Sequence, residues 1–181
     1  MSHEVEIGRG KRGRRAYTLD DVALVPSRRT RDPEDVNVGW QIDAYHVDIP
    51  LMAAPMDSVM SPATAIRFGR LGGIGVLDLD GLWTRYEDPE PILAEIARLG
   101  ADESIARLQQ IYSEPIKPSL ITARLRQLRE AGVVVAAKLS PQRTQKYWRY
   151  VVDAGVDLFI IRGSTVSAEH VSSHHEPLNL K

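Results

Sequence analysis

Four short stretches carry side chains suited to chemistry. Ala54, Pro55, Met56, Asp57 and Ser58 form a turn directly after an apolar run, and Arg162, Gly163, Ser164 and Thr165 directly follow another. Lys138 stands near the end of VVVAAKL, and His170, His174 and His175 lie in SAEHVSSHHEP. A methionine is polarizable enough to lie against a purine face, and Met56 equally suits core packing beneath its turn. Asp57 can bond backbone N–H groups or cap a helix starting at Pro62. Lys138 is a Schiff-base candidate at a strand end, but its expected role is that of a solvent-facing or ion-paired lysine. His170 and His174 would share a helix face, yet their surroundings read as loop, so no metal site is expected. The chain has no cysteine, which excludes disulfides, thiolate metal sites and a cysteine nucleophile within these residues.

The elements that must position these residues follow from pattern. Ile49 to Ala54 is a short apolar run, Pro62 to Leu71 an amphipathic helical stretch, Gly72 and Gly73 a break, and Ile74 to Leu77 a second apolar run. That order signals a strand–helix–strand crossover in a buried parallel sheet. Ile92 to Leu99, Glu103 to Tyr112 (capped by Asp102), Leu120 to Ala131 (capped by Ser119) and Gln142 to Ala154 show helical spacing. Val133 to Leu139 and Val156 to Ile161 are buried-strand runs, while Gly81, Pro89 and Pro91 mark a connection. Trp40 to Val47 alternates weakly and is expected as a short strand outside the main sheet. Thr18 is a plausible N-cap, with Asp20 and Asp21 in the turn behind it. Gly72, Gly73 and Gly75 are expected to serve turns and packing rather than phosphate binding.

Repeated β-then-α order implies an α/β fold, either an open doubly wound sheet or a (β/α)8 barrel. A barrel needs roughly 250 residues, so this chain would supply about half of one. Ligands on parallel sheets bind at the carboxyl ends of the strands, which is where the Ala54–Ser58 turn and the Arg162–Thr165 loop fall.

The net charge of -1 gives no global pull toward nucleic acid or anionic membranes. No apolar run reaches the length of a membrane span, and the N-terminus lacks a signal-peptide core, so a cytoplasmic chain without nucleic-acid or membrane partners is expected. The basic run GRGKRGRR at Gly8 to Arg15 could bind phosphates; residues 1–16 are expected instead to be a disordered, solvated basic tail, with the folded part spanning 17–181.

YTLDDVALVP, IPLMAAPMDSV, GRLGGIG and AGVDLFII occur in this order. Together they resemble the inosine monophosphate dehydrogenase and GMP reductase family, whose blocks read roughly TFDDVLLVP, PL-S-A-A-MD-T-V, GGIG and AGVD with an apolar strand behind it. The resemblance implies the N-terminal half of a (β/α)8 barrel, four βα units, that binds a purine nucleotide (IMP, XMP or GMP) beside NAD or NADP. Longer members insert a pair of CBS modules between the second and third strands. Here Gly81 to Gly132 is too short for such a pair, which implies the CBS-lacking branch.

By the same resemblance, Ala54 and Met56 stand at the nucleotide-binding positions, although Ala54 lacks the serine hydroxyl of the family pattern. Arg162, Gly163, Ser164 and Thr165 stand at the cofactor-binding loop, with Arg162 in place of the usual aspartate. The family's cysteine attacks purine C2, hydride leaves for the cofactor and water hydrolyses the intermediate. The cysteine loop and the phosphate-binding glycines follow later strands. No catalytic residue is therefore expected in this chain, which reads as a truncated fragment, inactive alone. The full protein is expected to form a homo-oligomer, a tetramer, with a monovalent cation held by the other half. A non-catalytic purine-nucleotide-binding relative is the alternative. Half a barrel leaves strand edges and an apolar face open, so the isolated chain is expected to be marginally stable.

Overall fold

The computed structural model describes residues 4–26, 28–163, 171 and 173. Two compact units result, Met1–Asn37 and Val38–Lys181.

In the first unit, β1 (Glu4–Gly8) pairs antiparallel with β2 (Lys11–Arg14), setting Glu4 opposite Arg14 and Val5 opposite Gly13. The expectation of a disordered tail is thus corrected to a hairpin over these residues. Val5 and Ile7 alternate with glutamates in strand fashion, and Gly10 supplies the positive φ of 68° that the tight turn needs. Thr18 does cap a short 3-10 turn, Leu19–Asp21. The Asp21 carboxylate accepts from both the Thr18 N–H and hydroxyl at 2.9 Å.

The second unit begins with another hairpin, β3 (Trp40–Ile42) and β4 (Tyr45–Val47), where a single strand was expected. Asp43, at φ 50°, makes the reversal that the weak alternation concealed. Next come β5 (Met52–Ala53), α1 (Pro62–Arg70), β6 (Ile74–Asp78), a 3-10 turn at Leu82–Thr84, α2 (Glu90–Ile96) and α3 (Ala101–Ser113). The chain continues through α4 (Pro118–Glu130), β7 (Ala136–Leu139), α5 (Pro141–Asp153) and β8 (Leu158–Ile161). Strands β5, β6, β7 and β8 form one parallel sheet in that order, the sequential arrangement that βα units generate.

Several boundaries differ from expectation. The first strand of the sheet is only two residues long, and β7 starts at Ala136 because Val133 to Val135 approach it as irregular chain. Helix α3 starts at Ala101 behind Gly100, so Asp102 lies in the first turn rather than capping it. Helix α4 starts at Pro118 behind Lys117, one residue ahead of the expected Ser119 cap. Proline's fixed φ and missing N–H suit the first helical position.

Side-chain alternation divides the sheet into two faces. Leu77, Leu79, Val135, Ala137 and Leu139 pack with Ile121, Leu125 and Leu128 of α4 and Tyr147 and Val151 of α5, all nearly inaccessible to solvent. The other face carries Ile74, Val76 and Ala136, with Val134, Leu158 and Ile160 beside them and Val47 from the β3–β4 hairpin. In a closed barrel this second face is the interior. Gly75 lies on the helix face, where an added Cβ would come within 2.5 Å of Ala65 Cα, so α1 can approach β6 only over glycine.

Asp157, at the start of β8, ties the amino-terminal end together. Its carboxylate accepts from Val135 N–H, Tyr45 hydroxyl and Arg129, each at 2.8 Å. Burial alone would raise its pKa, but these donors outweigh burial and hold it below the usual aspartate range.

Candidate functional site

The carboxyl ends of the four strands bring four loops to one edge of the sheet. Ala54 to Ser58 follow β5, Leu79 to Arg85 follow β6, Ser140 follows β7, and Arg162 and Gly163 follow β8. Ala54 and Met56 are exposed on that edge, Met56 at 46%, so Met56 is not core packing beneath the turn. Arg162 and Gly163 are exposed as well, with the Arg162 N–H donating to Leu139 carbonyl at 3.0 Å. Ser164, Thr165, His170, His174 and His175 lie outside the described residues. Among the described residues no group of three histidines, aspartates or glutamates is placed to hold a metal ion.

Lys138 is ion-paired. Register sets Asp78 opposite Lys138 and Lys138 opposite Ile160, so all three stand in one row on the interior face, just beyond Val76, Ala136 and Leu158. The Lys138 ammonium donates to both Asp78 oxygens, at 3.2 and 3.4 Å, and to Asp80 at 3.0 Å. Asp80 in turn accepts from Ser140 N–H at 2.7 Å and from its hydroxyl at 3.2 Å, joining the loops after β6 and β7. The Asp80 N–H donates to Asp78 at 2.9 Å. Burial pulls Lys138 down, but the Asp80 and Asp78 carboxylates outweigh it and leave its pKa above the ordinary lysine value. Burial raises Asp78 above the usual aspartate range despite the Asp80 N–H and the lysine.

Asp57 bonds backbone rather than capping α1, a task that Ser61 performs by accepting from Thr64 N–H at 3.0 Å. One Asp57 oxygen accepts from Leu82 N–H at 2.7 Å and Tyr112 hydroxyl at 2.6 Å. A Cβ on Gly81 would collide with that carboxylate, so only glycine lets the two loops meet. Beneath them Arg85, 6% exposed, donates to the carbonyls of Asp80, Tyr112 and Glu114. Tyr112 belongs to α3, so a helix inserted between the second and third strands of the sheet reaches the turn after the first.

Burial first, and then the Asp57 bond, push the Tyr112 phenol well above its ordinary pKa. A phenol whose folded pKa is raised stabilises the fold below its unfolded pKa of about 10 and loses that contribution as pH rises. Tyr112→Phe is expected to lose one hydrogen bond to a charged acceptor, about 1.5–3 kcal/mol at neutral pH. Urea midpoints measured from neutral to alkaline pH should show the deficit shrinking above pH ~10. A deficit independent of pH would contradict the pairing.

Asp78, Asp80, Ser140, Arg85 and Tyr112 were not legible as site residues in the sequence. The available signal was DLD at the end of one apolar run and KLS at the end of another. Two such endings on strands that pair in parallel place opposite charges side by side.

A sequence profile for the IMP dehydrogenase / GMP reductase domain matches residues 16–176. The chain belongs to the IMP dehydrogenase / GMP reductase family. An uncharacterized oxidoreductase of Mycolicibacterium smegmatis is 47% identical over 182 residues, covering 98% of this chain and 48% of the relative. An uncharacterized oxidoreductase of Mycobacterium tuberculosis is 46% identical with the same coverage. An inosine-5'-monophosphate dehydrogenase of Methanocaldococcus jannaschii is 41% identical over 64 residues, 35% of this chain and 13% of that protein. The crystal structure of an IMP dehydrogenase/GMP reductase-like protein from Corynebacterium glutamicum superposes with a TM-score of 0.80 at 39% identity, covering 94% of this chain and 47% of its own. The chain therefore spans about half the length of the full-length relatives it matches. Its sheet is the first half of a (β/α)8 barrel, four βα units, rather than an open doubly wound fold.

Proposed function

We propose that this chain is the N-terminal half of an oxidoreductase that moves hydride between a purine nucleotide and a nicotinamide cofactor. The observation that carries the reading is the family match across 16–176, joined to four strand-end loops that open on one edge. In this reading IMP, XMP or GMP lies against Met56, with NAD or NADP toward Arg162 and Gly163. The nicotinamide ring, when bound, accepts or delivers the hydride. This chain binds and orients, and the thiolate comes from the other half of the barrel. The complete protein works in the cytoplasm as a tetramer and takes its monovalent cation on that other half.

Ala54 offers no hydroxyl, and Arg162 offers only donors in a charged fork, which suits phosphate oxygens of the cofactor better than an uncharged carboxamide. These two positions favour a second reading, a barrel that binds purine nucleotides without turning them over.

The test joins this chain to the C-terminal half of the M. smegmatis relative and follows nicotinamide absorbance with IMP and NAD, and with GMP and NADPH. Nucleotide-dependent turnover supports the enzyme. Tight nucleotide binding without turnover supports the second reading, and absence of both overturns the two together.

A further inference from the structure

The ion pair in the interior row invites a specific question: what does a half-buried ammonium do on an otherwise apolar face? An ammonium has three N–H donors; Asp80 at 3.0 Å and the nearer Asp78 oxygen at 3.2 Å engage two of them, while the second Asp78 oxygen, at 3.4 Å, lies beyond the usual hydrogen-bond range and leaves the third weakly held. Among the described residues no further acceptor lies within bonding distance of Lys138, and its side chain retains 14% exposure. Asp78 is 19% exposed beside it. Isolated ion pairs taken out of water are poor sources of stability, so packing alone does not account for this one.

We propose that Lys138 and Asp78 form a subsite for an amide edge, an adjacent C=O and N–H on a bound ring. Lys138 donates its third N–H to the carbonyl oxygen, and Asp78 accepts from the neighbouring N–H. Charge decides against an anion: one ammonium beside two carboxylates leaves the cluster net negative, so it repels phosphate and suits a neutral group with both a donor and an acceptor. Position agrees, since Asp78 and Lys138 lie at the carboxyl ends of their strands on the interior face, where barrel ligands bind. Ile160, in the same row, is apolar, and Arg162, beyond the end of β8, carries donors only, so neither offers such a complement. The inference rests on the proposed function, under which two amide edges reach this edge of the sheet. They are the lactam of a 6-oxopurine and the carboxamide of nicotinamide.

The test uses the complete barrel, this chain joined to the C-terminal half of the M. smegmatis relative, and measures equilibrium binding by calorimetry. IMP is compared with purine riboside monophosphate, which lacks the lactam, and NAD with ADP-ribose, which lacks the carboxamide. Lys138→Met is expected to weaken one amide-bearing ligand by about tenfold or more, the loss of a bond to a charged donor, while leaving its amide-less counterpart unchanged. Selective loss of IMP assigns the purine lactam, and selective loss of NAD assigns the carboxamide. A folding defect would weaken both members of a pair alike, and Asp78→Leu with Lys138→Met, which keeps the packing, should show the same selectivity. Equal losses, or none, in both pairs overturn the subsite while leaving the family function intact. A wild-type barrel that binds neither IMP nor NAD overturns the proposed function and the subsite with it.

Discussion

Lys138→Met is expected to destabilise the fold by about 3–5 kcal/mol at neutral pH, whereas Asp78→Leu combined with Lys138→Met should recover part of that loss, the remainder being Asp80 left without its cation. The asymmetry has a simple origin. Removing the lysine leaves Asp78, only 19% exposed at its side chain and with Lys138 as its nearest cation, as an uncompensated charge on an apolar face. Removing Asp78 and Lys138 together replaces their pair with packing between Val76, Ala136 and Ile160, and leaves Asp80 held by the Ser140 N–H and hydroxyl alone. Burial raises Asp78 above the usual aspartate range, so the fold penalises its charged form more than the unfolded chain does. The deficit of the single variant should therefore shrink as pH falls and Asp78 becomes neutral. In the wild type, the raised Lys138 contributes stability below its unfolded pKa of about 10.4 and loses it as pH rises further. Urea midpoints of the wild type, the single and the double variant across pH test this. A double variant as unstable as the single one would show that the pair acts through something other than mutual compensation.

Arg85→Met is the second large expected effect, about 3–5 kcal/mol from buried carbonyls left unpaired at about 1–3 kcal/mol each. Arg85 is 6% exposed, and its guanidinium bonds the backbone carbonyls of Asp80, of Tyr112 at the end of α3, and of Glu114 just beyond. The last carbonyls of a helix have no intrahelical partner and carry the negative end of its dipole, and a cation placed there answers both needs. The guanidinium also lies 5.5 Å from the centre of the Tyr112 ring. Methionine fills the volume but leaves buried acceptors unpaired and loosens α3 from the loop after β6. The same change should release Tyr112 from Asp57, so fluorescence and amide exchange in α3 should respond before the sheet does. Uniform loss of protection across sheet and helices would contradict this local order. Lys in place of Arg is expected to restore only part, because one compact ammonium cannot span three carbonyls.

The order and type of the sheet's elements were written in the sequence. Apolar runs of four to seven residues separated by amphipathic stretches specify parallel strands covered by helices, because each pattern buries on only one kind of surface. The blocks from Tyr17 to Ile161 carried the family for the same reason: they encode strand, turn and close-approach glycines together. Local chemistry near the N-terminus was less legible, since the β1 and β3 hairpins depend on reversals at Gly10 and Asp43 that weak alternation does not announce.

The site divides similarly. Ala54, Met56, Arg162 and Gly163 stand at strand ends, where a parallel sheet must place them, so the sequence sufficed to bring them to one edge. Which charges face one another was decided only by tertiary structure. Asp78 and Lys138 are sixty residues apart and meet because β6 and β7 pair with those residues in register. Asp57 meets Tyr112 because α3 folds back over the turn after β5, a contact no local pattern contains. Periodicity fixes which face a side chain takes, while register and helix docking fix its neighbour. The turn from Ala54 to Ser58 was thus legible as part of the strand-end edge, and the ammonium and carboxylates of the interior row were not.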